Sequence, residues 1–218
     1  MLPGPIQVVE CPHCGGLEQY QTLRSGNTFG ARVWSDGKQV APMLPRPPAV
    51  VKCSRCPECY WLADAREVGE FDPWEEGAEA ADPAWKNATF VEEPTEEEYD
   101  RAIAGTLAKT PERERSLRIF AWWRANEPYR DPPESAEITP QPHSDAYRRN
   151  LKSLVGMMDE NEENDLLMKA ELLRELGRFD AAKDVLTRVT SPSFTEVRRQ
   201  FESLCDRQDT GVRELHFP

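Results

Sequence analysis

Cys11-Pro12-His13-Cys14-Gly15-Gly16 and Cys53-Ser54-Arg55-Cys56-Pro57-Glu58-Cys59 gather five of the six cysteines of this chain into two short runs. Two thiols separated by two residues can grip one tetrahedral ion from a single tight turn, and a second such pair completes a closed four-thiolate site. The spacing therefore assigns Cys11, Cys14, Cys53 and Cys56 to one structural Zn2+. Pro12 fixes φ in the first turn, and Gly15 and Gly16 let backbone amides approach sulfur with no Cβ in the way. Cys59 is left out of the set. It opens Tyr60-Trp61-Leu62-Ala63, a strand leaving the turn, where a small thiol packs as an apolar residue. His13 lies inside the first turn and reads as a surface residue. Two other chemistries fit the pairs less well. A disulfide framework suits small secreted chains, whereas this sequence reads without a leader; a redox dithiol wants a βαβ context that is absent.

Through the Cys-Pro-x-Cys-Gly form of its first knuckle the chain resembles the zinc-ribbon family. The resemblance implies a small antiparallel β module stapled by one structural zinc. The second knuckle departs from the pattern, with Pro57 where the family prefers glycine. The residues around the knuckles agree with strands. Leu17–Ser25 and 28–34 flank Gly26-Asn27, Asp36-Gly37 is a hairpin signal before Gln39-Val40-Ala41, and a proline-rich run leads to Val50-Val51-Lys52. About sixty residues make too small a core to be secure alone, so the ion is expected to supply much of the folding free energy. Gly26, Gly30 and Gly37 form no phosphate loop, because no Gly-Lys-Ser/Thr follows them.

Charge divides the chain. Residues 1–66 carry 7 Lys and Arg against 5 Asp and Glu, residues 67–100 carry 1 against 13, and residues 101–218 carry 19 against 21, so the net charge of −12 resides in one short segment. That segment also holds Pro73, Trp74, Pro83, Trp85 and Pro94, and it reads as an extended connector whose tryptophans dock on its neighbours. Thr95-Glu96-Glu97-Glu98 is a capping box opening a helix to about Ala108, and Thr110-Pro111 opens a second to about Asn126. On that second helix Leu117, Phe120 and Trp123 recur with Ile119 and Trp122 as a core face. Pro128, Pro132, Pro133, Pro140 and Pro142 then mark a linker.

Leu166, Ala170, Leu173, Gly177, Phe179, Ala182, Leu186 and Val189 resemble one tetratricopeptide repeat. Phe201 and Cys205 follow, and Tyr147, Leu151 and Leu154 precede, as half-repeats, giving about four helices between Ser144 and Gln208. The family resemblance implies binding of peptide segments or other proteins. So short a stack should lean on the helices of 95–126 or offer a groove. The whole chain is also similar to uncharacterised bacterial proteins that join a Cys-x-x-Cys ribbon to a short helical repeat region, on Ser25–Ala31, Trp34-Ser35-Asp36-Gly37-Lys38 and the second knuckle with Tyr60-Trp61.

The expected architecture is α+β: a small antiparallel β zinc ribbon followed by an all-α, tetratricopeptide-like domain. Its parts are a β module at 1–69, an acidic connector at 70–94, a helical pair at 95–127, a proline-rich linker at 128–143 and the repeat-like region at 144–218. No run is long and apolar enough for a membrane span, and free thiols suit the cytoplasm. Three functions compete. The first is a non-enzymatic protein–protein adaptor with a protein partner. The second is a nucleic-acid-binding ribbon using Arg24, Arg32, Lys38, Arg46, Lys52 and Arg55, for which a net charge near +2 is a thin electrostatic footprint. The third, an enzyme, ranks last. Four thiolates close a zinc site, and His13, His143 and His216 stand in no motif with a nucleophile. Glu160, Glu162, Glu163 and Asp165 read as a solvated helix start.

Overall fold

A computed structural model describes residues 1–74, 82–131 and 143–217. Along the chain the elements are β1 (Leu2–Glu10), β2 (Leu17–Ser25), β3 (Arg32–Trp34), β4 (Gln39–Val40), β5 (Val50–Lys52), β6 (Cys59–Trp61), β7 (Arg66–Phe71), α1 (Pro83–Lys86), β8 (Thr89–Phe90), α2 (Glu96–Ala104), α3 (Pro111–Asn126), α4 (Asp145–Val155), α5 (Glu163–Glu175), α6 (Phe179–Leu186), α7 (Thr195–Asp206) and β9 (Glu214–Leu215). They form two compact units. Unit 1 holds Met1–Ala31 and Ala41–Leu117; unit 2 holds Arg32–Val40 and Arg118–Pro218. The Asp36-Gly37 hairpin, expected within the metal module at 1–69, therefore belongs with the helices of unit 2. The acidic residues Glu75, Glu76 and Glu79 of the expected connector, and Pro132, Pro133, Pro140 and Pro142 of the expected linker, lie outside the described residues.

In unit 1 a four-stranded sheet runs in the order β7-β1-β2-β8, antiparallel except for the two-residue parallel pairing of β8 with β2. Gly4, Ile6 and Val8 are buried at every second position of β1, the strand period. Pro3 and Pro5 have no N–H to give the ladder, and the β1–β2 register slips on either side of Pro3 before running evenly from Ile6. The outer strand β7, Arg66–Phe71, runs across the expected border at 69/70 between the β module and the connector. The reason is local: Gly69 has no Cβ, and the Trp85 ring occupies the place where one would stand. Trp85 thus docks on the sheet, while Trp74 is 78% exposed. The expected strand over 28–34 is shorter; only Arg32–Trp34 pairs, and Ala31 N closes a turn on Thr28 O. A two-stranded antiparallel sheet, β5-β6, carries the second knuckle at its turn. The capping box is present at the head of α2, with Glu98 N bonded to Thr95 Oγ1 and Thr95 N to Glu98 Oε2 at 2.8 Å; the helix stops at Ala104, before Gly105, four residues short of the expected Ala108.

Unit 2 contains the four helices expected between Ser144 and Gln208, packed around α5, which buries residues on every side from Leu166 to Glu175. Gly177 turns the chain between α5 and α6 at φ +74°, with Arg178 N on Leu173 O, a left-handed helix end that favours glycine. The cluster of Leu166, Leu167, Ala170, Leu186 and Phe201 is covered by Leu215 and Val33. Those two come from a three-stranded sheet, β4-β3-β9, that joins the hairpin to the C-terminal strand. Unit 2 also buries charge. The Arg130 guanidinium grips both Asp36 carboxylate oxygens, at 3.1 and 2.6 Å, and Asn126 Nδ2 donates to Asp36 Oδ2 and to Glu175 Oε1. Glu175 further accepts from Trp122 Nε1 at 2.7 Å and from the Tyr147 hydroxyl. Burial holds the Glu175 carboxyl well above the usual range.

Candidate metal centre

The first knuckle closes when Cys11 N donates to Gly16 O and Gly15 N to Cys11 O, both at 2.9 Å, with Gly15 at φ +69°. The second closes the same way: Cys53 N donates to Glu58 O at 3.0 Å. Pro57 leaves that closure intact, since the bond runs past it to Glu58. The β1–β2 turn presents one pair of sulfurs and the β5–β6 turn the other, and both turns lie in unit 1.

Cys11, Cys14, Cys53 and Cys56 come together with their sulfurs all within 4.8 Å of one another. Cys11 Sγ lies 3.9 Å from Cys56 Sγ, and Cys14 Sγ lies 3.6 Å from Cys53 Sγ. A tetrahedral ion with metal–sulfur bonds of about 2.3 Å sets its sulfurs about 3.8 Å apart, so the donor set fits a divalent soft ion. Each sulfur also receives backbone N–H groups: from His13 and Cys14 on Cys11, Gly16 on Cys14, Arg55 on Cys53 and Glu58 on Cys56. Such donors stabilise negative sulfur. Each of the four sulfurs has a donor two residues further on, and Cys11 has a second three residues on. Burial pushes the Cys11 thiol up to about 12, so its thiolate calls for a neighbouring cation. Cys59 stands outside the cluster and is half-buried, and burial pushes its thiol up to about 11. Cys205 is a buried residue of unit 2, packed with Leu173 and Ala182.

One acidic residue outside the cysteine motifs supports the second knuckle. Glu18, 1% exposed on β2, accepts from Ser54 N at 2.6 Å and from the Tyr60 hydroxyl. Burial, and then this bond, raise the Tyr60 hydroxyl far above its ordinary range. The signal available in the sequence was positional: Glu18 stands on a strand adjoining one knuckle, and Tyr60 on the strand leaving the other.

The remaining candidates disperse. His13 is exposed in the first knuckle; His143 stacks on Tyr147 at 3.7 Å between centroids, and burial lowers it to about 4. His216 lies in the C-terminal tail, where its N–H meets Gln200 Oε1. The acidic run before α5 is largely solvent-exposed, as expected of a helix start, and two of its carboxylates also tie it to neighbouring segments. Glu160 accepts from Lys169 and Arg188, which hold it down to about 2, and Glu163 accepts from Thr190 N and Ser191 N. Among the six basic residues proposed for nucleic acid, Arg24 pairs with Asp72, Arg32 with Glu214 and Asp131, Lys38 with Glu127 and Lys52 with Glu92. No helix among the described residues is long and apolar enough to cross a membrane. No family model, no curated protein and no solved structure matches this chain.

Proposed function

We propose that this protein is a non-catalytic adaptor whose first unit is stapled by one structural zinc on Cys11, Cys14, Cys53 and Cys56, and which binds a protein partner. The carrying observation is the closure of the site: four sulfurs within 4.8 Å, each supported by a backbone N–H, so that the ion keeps no open position for substrate or water. Thiols reserved for a metal suit a reducing compartment, the cytoplasm. The helices α4 to α7 we read as one tetratricopeptide-like unit with flanking half-repeats, supported by buried Ala170 and Ala182 and by the Gly177 turn. A protein is favoured over nucleic acid as the partner, because four of the six basic residues of the ribbon reading already sit on carboxylates.

Elemental analysis of protein purified without added metal, followed by cobalt substitution, tests the zinc. One ion per chain with an intense tetrahedral thiolate spectrum supports the reading; no ion, or a five-coordinate spectrum with exchangeable water, sinks it. Photo-crosslinking of the full chain in its host tests the adaptor role. A discrete protein adduct is expected, and recovery of nucleic acid instead would reverse the choice of partner.

A further inference from the structure

One side of β6 is open. Cys53 N bonds to Glu58 O and Leu62 N to Ala49 O, so Glu58 and Leu62, with Tyr60 between them, turn their backbone groups toward β5. Antiparallel alternation then points the N–H and C=O of Cys59 away from β5, and among the described residues β6 has no second strand neighbour. On that side lies a cleft of about 600 Å³, walled opposite by α2 and the turn that follows it. All of it belongs to unit 1.

The walls are held in place. Trp61 Nε1 donates to Leu107 O at 3.1 Å, and the Arg113 guanidinium lies over the Trp61 ring at 5.2 Å while gripping Asp64 through bonds of 2.6 and 2.7 Å. Glu98 is committed to Thr95 N. Arg101 and Lys109, both exposed on the α2 side, make no hydrogen bond or close ion pair with a carboxylate among the described residues, Arg101 reaching Glu98 and Lys109 reaching Asp64 only through space, and Glu58 is the one uncommitted carboxylate on the knuckle side.

We propose that this cleft takes an extended, acidic peptide segment of a partner protein, which adds as a third strand to β6 at Cys59 and sets its carboxylates against Arg101 and Lys109. The inference rests on the adaptor reading and gives the partner a site and a chemistry. An open strand offers an N–H and a C=O together, which a peptide backbone matches; a phosphate backbone supplies acceptors alone. The guanidinium over Trp61 also covers the ring face on which a base would stack. In unit 2 the cluster around Leu166 is covered by Leu215 and Val33, so that face is not the competing site.

The test is a random-peptide display selection on the zinc-loaded full chain, with winners measured by fluorescence anisotropy and mapped by amide and indole chemical shifts. Acidic sequences should be enriched, with shifts at Cys59 and the Trp61 indole. The Arg101→Glu/Lys109→Glu variant should weaken them about tenfold or more, as should methylation of alternate peptide amides. Both substitutions are on exposed side chains, so zinc content and circular dichroism should stay constant; Ala102→Trp, which fills the cleft, gives an independent loss. No enrichment, non-acidic winners, or binding indifferent to these changes would overturn the proposal, as would a single-stranded oligonucleotide producing the same shifts. Winners that shift only Asp145–Asp206 would overturn the cleft and leave the adaptor standing. The adaptor itself falls on the crosslinking result.

Discussion

At the scale of single residues, Glu18 braces a part of the candidate metal site that none of the four cysteines holds. The loop between Cys53 and Cys56 must present two sulfurs at a fixed separation, and Ser54 N within it is tied to a buried carboxylate. The hydroxyl of Tyr60 ties that same carboxylate to β6. Removing one donor leaves Glu18 buried with a single partner. Tyr60→Phe should therefore cost about 1–3 kcal/mol of stability, read as a lower urea midpoint for the zinc-loaded protein. Glu18→Ala also frees Ser54 N and should speed transfer of the ion to a chromophoric chelator by about tenfold, the order seen when groups that orient metal ligands are lost. A Tyr60→Phe midpoint equal to that of the parent would show that the carboxylate is held by Ser54 alone.

At the scale of elements, the hairpin β3–β4 shows both what pattern reveals and what it hides. Asp36-Gly37 announced a turn, and the turn is there, with Gly37 at φ +79° and Lys38 N on Asp36 Oδ1. The same aspartate is wholly buried and carries the Arg130 guanidinium, a pairing across ninety-four positions that no local pattern encodes. For this reason local pattern groups the hairpin with its sequence neighbours, whereas its third strand is Glu214–Leu215. The knuckles, β2, the capping box and the four late helices were legible because each is a local signal. β1 was not, since Pro3 and Pro5 mask its alternation, and β7 was not, since its glutamates read as connector. Asp36→Ala strips the buried Arg130 guanidinium of its buried partner, leaving it only the half-exposed Glu127 carboxylate at 3.0 Å, and should destabilise unit 2 by about 3 kcal/mol in chemical denaturation; Asp36→Ala combined with Arg130→Met should recover a large part of that loss, because a packed apolar pair carries no desolvation cost. If the double variant is no more stable than the single one, the pair contributes by something other than charge.

At the scale of the whole molecule, the two units draw on different sources of stability. The apolar cluster around the knuckles consists of Cys11, Val51, Cys53 and Tyr60, so two of its four buried members are thiols expected to carry the ion. Unit 2 has three apolar clusters among its described residues, filled by leucines, aromatics and alanines, and Cys205 is the one cysteine in them. With metal bound, four thiolates share one divalent charge. Without it, the buried Cys11 thiol stays protonated, and the loops lose the tie that sets their distance. Metal affinity is then folding free energy for unit 1 and is nearly irrelevant to unit 2. Hydrogen exchange read by mass spectrometry should show this after chelation: the bonded amides of Lys52, Cys53, Tyr60 and Leu62 lose protection first and those of Leu17–Ser25 follow, while Glu163–Glu175 and Thr195–Asp206 keep theirs. Added zinc should restore the first group. Loss of protection in both units together would mean that they unfold as one, and an unchanged pattern would mean that the four cysteines hold no structural ion.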